Sequence, residues 1–257
     1  MRDDGVLTAF GRPERRRRAL ICIPHAGAGA SAFAPWAGAL RSAAAVWAAR
    51  LPGRETLIGE PPLRTVGDMA GRLVSAVADV AAAELTIFGH CGGAVIAYEL
   101  ARRLTASGQR RVSRLIVSSQ PAPSACGPAE PVAGPSREEF VAFLRSMGGT
   151  DETVLSHPRY LALLEPVFRA DLAAAAGYRL PPDRARLDLP VTAIGGRSDS
   201  VVPRRRLDEW AGLTTGPFDV RQFDGDHFFL FAQGEPVLRF LRAVLTAGSG
   251  EPDQVCG

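Results

Sequence analysis

The run Gly89-His90-Cys91-Gly92-Gly93 joins an apolar, β-rich stretch at 85–89 (LTIFG) to a helical pattern at 93–107. A strand that turns into a helix this abruptly forces its central residue into a crowded backbone conformation, and flanking glycines relieve the crowding. Cys91 is that central residue. The helix behind it carries Ala94, Ala97, Ala101 and Leu104 on one face and ends near Gly108, a residue suited to closing a helix. A side chain on such a turn projects above the end of a sheet, where the helix N-terminus favours an anion.

The same alternation recurs along the chain. Residues 18–24 (RALICIP), 44–51, 85–89, 114–119 (RLIVSS), 191–196 (VTAIGG) and 218–223 (FDVRQF) read as strands, and 66–83 and 93–107 as helices between them. Near-continuous apolar strands alternating with amphipathic helices predict an α/β fold, a mostly parallel, doubly wound sheet covered on both faces. The alternation breaks between Gln120 and Pro190. A loop with Pro121, Pro123, Pro128, Pro131 and Pro135 is followed by helices alone: Ser136 and Glu139 form a capping-box pattern before 140–147, and a second helix runs over about 158–176. We expect the segment at about 121–189 to be a helical lid inserted in one α/β domain spanning 1–257; helices that merely pack on the sheet are the alternative. Residues from Ala247 onward read as a frayed tail.

Composition narrows the function classes. All 30 basic residues are arginine, and the net charge is only +3, with no basic cluster beside aromatics, so no nucleic-acid binding is expected. Arg15 to Arg18 precede the uncharged stretch 19–40, but Pro24 and His25 interrupt its apolar part after Ile23. That is too short for a signal peptide or a membrane span, so a cytoplasmic chain with no membrane partner is expected. Cys22, Cys91, Cys126 and Cys256 match no zinc or CxxC spacing and are expected to be free thiols.

The chemistry centres on Cys91. The Gly89–Gly93 motif is G-x-S-x-G with cysteine in the nucleophile's place, and the Gly92 amide follows it as a candidate oxyanion donor. The expected order of nucleophile, acid and histidine is completed downstream. Asp199 follows the strand at 191–196, and His227 follows the strand at 218–223 in Asp224-Gly225-Asp226-His227. His227 is the candidate base. Asp199 is the favoured orienting acid, with Asp224 and Asp226 as nearby alternatives. His90 is read as a supporting residue. In the first loop, Pro24-His25-Ala26-Gly27-Ala28, small residues let an amide approach the nucleophile; Ala26 is the candidate second oxyanion donor, and a tight turn needing glycine is an equal reading. No metal site is expected, because no ligand pair has the required spacing on one element.

Taken with Leu51-Pro52-Gly53-Arg54, Ala97-Tyr98-Glu99-Leu100-Ala101, Ser118-Ser119-Gln120-Pro121, Phe168-Arg169-Ala170-Asp171 and His227-Phe228-Phe229-Leu230, these residues resemble the type II thioesterases of polyketide and nonribosomal peptide assembly lines. The resemblance covers almost the whole chain. It implies an α/β-hydrolase fold and hydrolysis of acyl groups from the 4'-phosphopantetheine arm of an acyl or peptidyl carrier protein. It implies no cofactor beyond that arm, and a monomer. Two departures stand out: His25 replaces the usual tyrosine or phenylalanine before Ala-Gly, and Cys91 replaces the usual serine. An acyl group moving from pantetheine sulfur to Cys91 passes between two thioesters, which raises transfer to a second carrier or an amine as the alternative to hydrolysis. Arg204, Arg205 and Arg206, just after Asp199, are candidates for meeting an acidic carrier, or simply a solvated helix start.

Overall fold

The computed structural model describes residues 5–11, 17–123, 136–181, 186–232 and 234–247. Cys126, Cys256, Arg15, Arg16, Pro128, Pro131, Pro135 and the tail from residue 248 lie outside them. Within the described residues one seven-stranded sheet forms from β1 (Leu7–Phe10), β2 (Arg18–Ile23), β3 (Ala45–Ala49), β4 (Glu84–His90), β5 (Val112–Ser118), β6 (Val191–Gly196) and β7 (Phe218–Phe223). The order is β1-β3-β2-β4-β5-β6-β7. Strands β2 to β7 pair in parallel, and β1 runs antiparallel along β3. This is the α/β-hydrolase arrangement.

All six expected strands are present, β6 and β7 with the expected bounds. Strand β1 carries no sequence signal of its own. It is four residues long, pairs with one neighbour only, and buries just Leu7, so no apolar run marks it.

Alternation along the strands builds two cores. Ala19, Ile21 and Ile23 of β2 face one cluster, and Leu20 and Cys22 face the other. Leu115 and Val117 against Ile116 repeat the pattern in β5. Each Leu or Ile removed from water contributes about 1.5–3 kcal/mol.

The helices are α1 (Trp36–Leu40), α2 (Val66–Val77), α3 (Gly92–Ser107), α4 (Arg137–Met147), α5 (Glu152–Ser156), α6 (Pro158–Gly177), α7 (Arg204–Asp208), α8 (Phe229–Ala232) and α9 (Gly234–Thr246). The first core takes α2, α3 and Leu207 of α7; the second takes α1, α8 and α9. Helix α2 starts where the Thr65 side chain accepts the Asp68 amide at 3.0 Å. It ends before the expected 83, because the chain leaves the helix and the Ala83 and Glu84 amides donate to Arg17 O at 2.9 and 3.1 Å. Helices α4 to α6 lie between β5 and β6 with no strand among the described residues, and the Ser136–Glu139 capping box is complete. They share a third apolar cluster with the first loop: Phe140, Leu144, Leu155, Leu161 and Phe168 pack with Ala26.

The crossing from β2 to β3 goes one way along the sheet and β4 lies on the other side of β2. That reversal opens a crevice at the strands' C-terminal ends, where the first loop and the Cys91 turn meet.

The glycines of that turn differ in what they tolerate. A Cβ on Gly89 would overlap Gly93 O and Ala94, and one on Gly93 would overlap the carbonyls of Ile23 and Pro24, whereas one on Gly92 would touch Ala175 Cβ at an ordinary 3.5 Å. Gly89→Ala and Gly93→Ala are expected to destabilise the fold by about 1–3 kcal/mol through overpacking. Gly92→Ala should stay within about 0.5 kcal/mol of the parent. Urea midpoints of the three variants check the ranking.

Candidate active site

Cys91 sits between β4 and α3 with φ 52° and ψ −132°, a positive φ unusual for any residue with a side chain. Its amide donates to Ser118 O of β5 at 2.8 Å, which pins the turn to the sheet. Strain of this kind, of order 1–3 kcal/mol, persists only where the surroundings over-determine it. The sulfur lies at the edge of the crevice in a residue 9% exposed.

Asp199 and His227 arrive from the loops after β6 and β7. His227 Nδ1 donates to Asp199 Oδ2 at 2.9 Å, and both side chains are buried. The other carboxylate oxygen accepts the amides of Val201 and Val202, each at 2.9 Å. Thus one Asp199 oxygen is committed to its own loop and the other is aimed at the ring. Asp224 instead pairs with Arg197 at 2.9 Å, and Asp226 accepts the Phe228 amide at 2.8 Å. Of the three aspartates near His227, Asp199 is the one bonded to it.

Burial would lower the proton affinity of His227. The hydrogen bond to Asp199 and the adjacent Cys91 outweigh it and push the ring up to about 10. Burial would likewise raise the Asp199 carboxyl, but His227 and the two amides hold it below the usual carboxylate range. Nε2 of His227 is buried without a hydrogen-bonded partner, and Cys91 is the group that couples to that ring from beyond Asp199.

Two more histidines crowd the site. His90 packs 5.5 Å from His227 and 5.7 Å from His25, measured between ring centroids. Burial drives His90 well below its ordinary value, helped by His25 and His227, and its Nδ1 meets Ser118 Oγ at 3.0 Å. His25 is lowered to about 4 by burial first, then by the charges of His227 and Arg54. Three imidazoles therefore share one low-dielectric space, and their surroundings favour the positively charged form of His227 alone. His90 has the supporting place read from the sequence. The convergence of all three is invisible there, because His25 and His227 come from the loops after β2 and β7 and His90 from the end of β4.

A cavity opens beside Cys91. Its empty space is about 330 Å³, of which about 30 Å³ admits the centre of a water molecule. Phe143, Leu144 and Met147 of α4, Phe168 and Leu172 of α6, and Phe228 wall it, with His25 and Ala26 from the first loop. Gly92 is the first residue of α3, so its amide has no intrahelical acceptor. The Ala26 amide meets no acceptor among the described residues. Both candidate oxyanion donors are thus uncommitted.

The thioesterase-domain family matches residues 18–245 of this sequence. The chain belongs to the thioesterase family. It is 33% identical to the gramicidin S biosynthesis protein GrsT of Aneurinibacillus migulanus, covering 86% of each chain. It is 34% identical to thioesterase PikA5 of Streptomyces venezuelae, over 91% of this chain and 83% of that one. Among solved structures it superposes on the type II thioesterase BorB from the borrelidin biosynthetic cluster with a TM-score of 0.86 and 33% identity, covering 95% of this chain and 99% of the other. The family resemblance read from the motifs therefore holds at the level of a thioesterase similar to those of natural-product biosynthesis. Among the described residues no His, Cys, Asp and Glu cluster could hold a metal ion, and no helix is long and apolar enough to cross a membrane.

Two measurements follow from the electrostatics. In Asp199→Asn the ring keeps a neighbour of the same shape but loses the negative charge, so the His227 pKa should fall from about 10 toward its ordinary 6.5, read by NMR titration of the ring protons. His25 has a folded value lowered to about 4, so the unfolded chain binds the extra proton as pH drops below 6.5. That contribution to stability is intact above 6.5 and is lost as pH falls toward 4. His25→Phe should therefore lose less stability than the parent between pH 7 and 5, by urea midpoints at both values.

Proposed function

We propose that this thioesterase hydrolyses acyl or aminoacyl thioesters carried on the phosphopantetheine arm of a carrier protein, through an acyl-enzyme on Cys91. The observation that carries the reading is the bonded Asp199–His227 pair beside a strained Cys91 that opens onto an apolar cavity. The likeness to GrsT, a gramicidin S biosynthesis protein, and to BorB of the borrelidin biosynthetic cluster supports an assembly-line setting, editing or releasing intermediates.

In the resting site the proton resides on His227. The Cys91 sulfur attacks the thioester carbonyl carbon, and the oxyanion that forms is held by the Gly92 and Ala26 amides. Collapse breaks the bond to pantetheine sulfur, which leaves with the His227 proton. Acylation removes the Cys91 interaction that helped raise His227, so the ring's hold on a proton weakens and it becomes a better base for water. Water gives its proton to His227 and attacks the acyl carbon. The second collapse returns sulfur to Cys91 and frees the acid. Asp199 orients the ring and stabilises its charge throughout.

Helices α4 to α6 act as the lid, because five of the cavity's apolar walls come from α4 and α6. A cavity with room for only two or three waters at about 10–15 Å³ each suits a short acyl chain. After the Asp199 loop, Arg204 lies 3.9 Å from Asp208 and Arg206 3.3 Å from Glu209, so the three arginines would meet a carrier with part of their charge already offset. Their effect on docking is accordingly modest.

Sulfur at position 91 favours a second reading, transfer of the acyl group to another thiol or an amine, since a thioester intermediate is open to both. Intact-protein mass spectrometry with an acyl-loaded carrier, followed by an unloaded second carrier, separates the two. Hydrolysis predicts a Cys91 adduct decaying to free acid at a rate the second carrier leaves unchanged. An adduct that waits for the second carrier identifies transfer, and absence of any adduct overturns the covalent reading. Cys91→Ala should form no adduct and lose turnover by about 10³-fold or more.

A further inference from the structure

Arg54 and Asp171 form a buried, two-pronged ion pair, with Nη1 on Oδ2 at 2.8 Å and Nη2 on Oδ1 at 2.9 Å. Arg54 is 3% exposed and Asp171 7%. They come from the loop after β3 and from α6, 117 residues apart. Between them lies the first loop. Asp171 Oδ2 also accepts the Gly27 amide at 2.8 Å, and Arg54 Nη1 also donates to Ala28 O at 3.0 Å. The loop is gripped on both sides of one peptide unit, immediately after Ala26.

The cover over this grip is equally specific. Gly27 has φ 76°, and a Cβ there would overlap the ring of Phe168, three residues before Asp171 on α6. Phe168 and Leu172, on either side of Asp171, both wall the cavity beside Cys91. As a stabilising device the pair is poor: Nε of Arg54 is buried without a partner, and a buried ion pair is rarely more stable than apolar residues of the same volume. What an apolar pair could not do is hold the Gly27 amide and the Ala28 carbonyl in one orientation.

We propose that Arg54 and Asp171 are positioning residues that set the Ala26 amide for the oxyanion, and that the oxyanion hole is complete only while α6 is seated on the first loop. The acid that orders the loop is carried by the helix that closes the cavity. Lifting α6 withdraws the Gly27 acceptor together with Phe168, so closure over the acyl group and assembly of the hole are one event. This rests on Cys91 as the nucleophile and Ala26 as a donor.

The test uses the full chain, S-acetyl-N-acetylcysteamine as acyl donor and iodoacetamide as a probe of Cys91 that needs no oxyanion hole. Asp171→Asn keeps an acceptor near Gly27. The double variant Arg54→Met, Asp171→Leu removes both charges together, so neither is left buried alone and the fold is kept. The double variant should still unfold cooperatively and be alkylated within about twofold of wild type, yet acetylate Cys91 about 100-fold more slowly, the size of effect seen when one oxyanion donor is lost. Its KM should change far less than its kcat. Asp171→Asn should retain more of the acetylation rate than the double variant. A double variant that acetylates at the wild-type rate, or whose alkylation falls as far as its acetylation, overturns the proposal. A wild-type protein alkylated at Cys91 but never acetylated overturns the acyl-enzyme reading, and the positioning role with it.

Discussion

The positive φ of Cys91 is the constraint from which the rest of the site follows. A side-chain-bearing residue adopts φ 52° only where its neighbours leave no other course. Here β4 ends hydrogen-bonded between β2 and β5, α3 begins at the next residue, and the Cys91 amide is held by Ser118 O. Gly89 and Gly93 permit the approach of backbone to backbone that the turn requires. The result lifts the sulfur above the sheet and leaves the first amide of α3 beside it, uncommitted.

Around that fixed point, parallel strands bring the remaining groups to the same edge. Each loop that follows a strand's C-terminal end delivers one part: the first loop after β2, Asp199 after β6 and His227 after β7. Burial then sets the electrostatics. In a low-dielectric space three imidazoles cannot all be charged, and Asp199 with Cys91 decides which one is. His25 and His90 stay neutral and serve as packing around the pair. Charge at the site therefore depends on geometry assembled from four separate loops.

Helices α4 to α6 add what the sheet lacks. Helices α4 and α6 supply five of the cavity's apolar walls, and all three share an apolar cluster with Ala26. Through Asp171 they also reach the backbone of the first loop. The inserted segment is thus joined to the chemistry by hydrogen bonds as well as by contact, which distinguishes it from helices that only cover a sheet face.

Much of this was legible in the chain itself. Strand and helix periods, the glycine pattern around Cys91, and the order Cys91, Asp199, His227 follow from local rules of backbone geometry and from the fixed side of the sheet on which loops gather. Residues 191–196 stand out because a fully buried strand needs an apolar or β-branched run, and 218–223 because Phe218 and Val220 alternate with exposed polar residues along a half-buried strand. Strand β1 did not, since it is four residues long and buries only Leu7. Among Asp199, Asp224 and Asp226, hydrogen bonds join only Asp199 to His227: Asp224 turns to Arg197 and Asp226 to its own loop. The clustered histidines and the Arg54–Asp171 grip belong to tertiary structure alone. Their partners lie tens to more than a hundred residues apart, and nothing in local propensity encodes a contact whose energy exists only after both groups have been withdrawn from water.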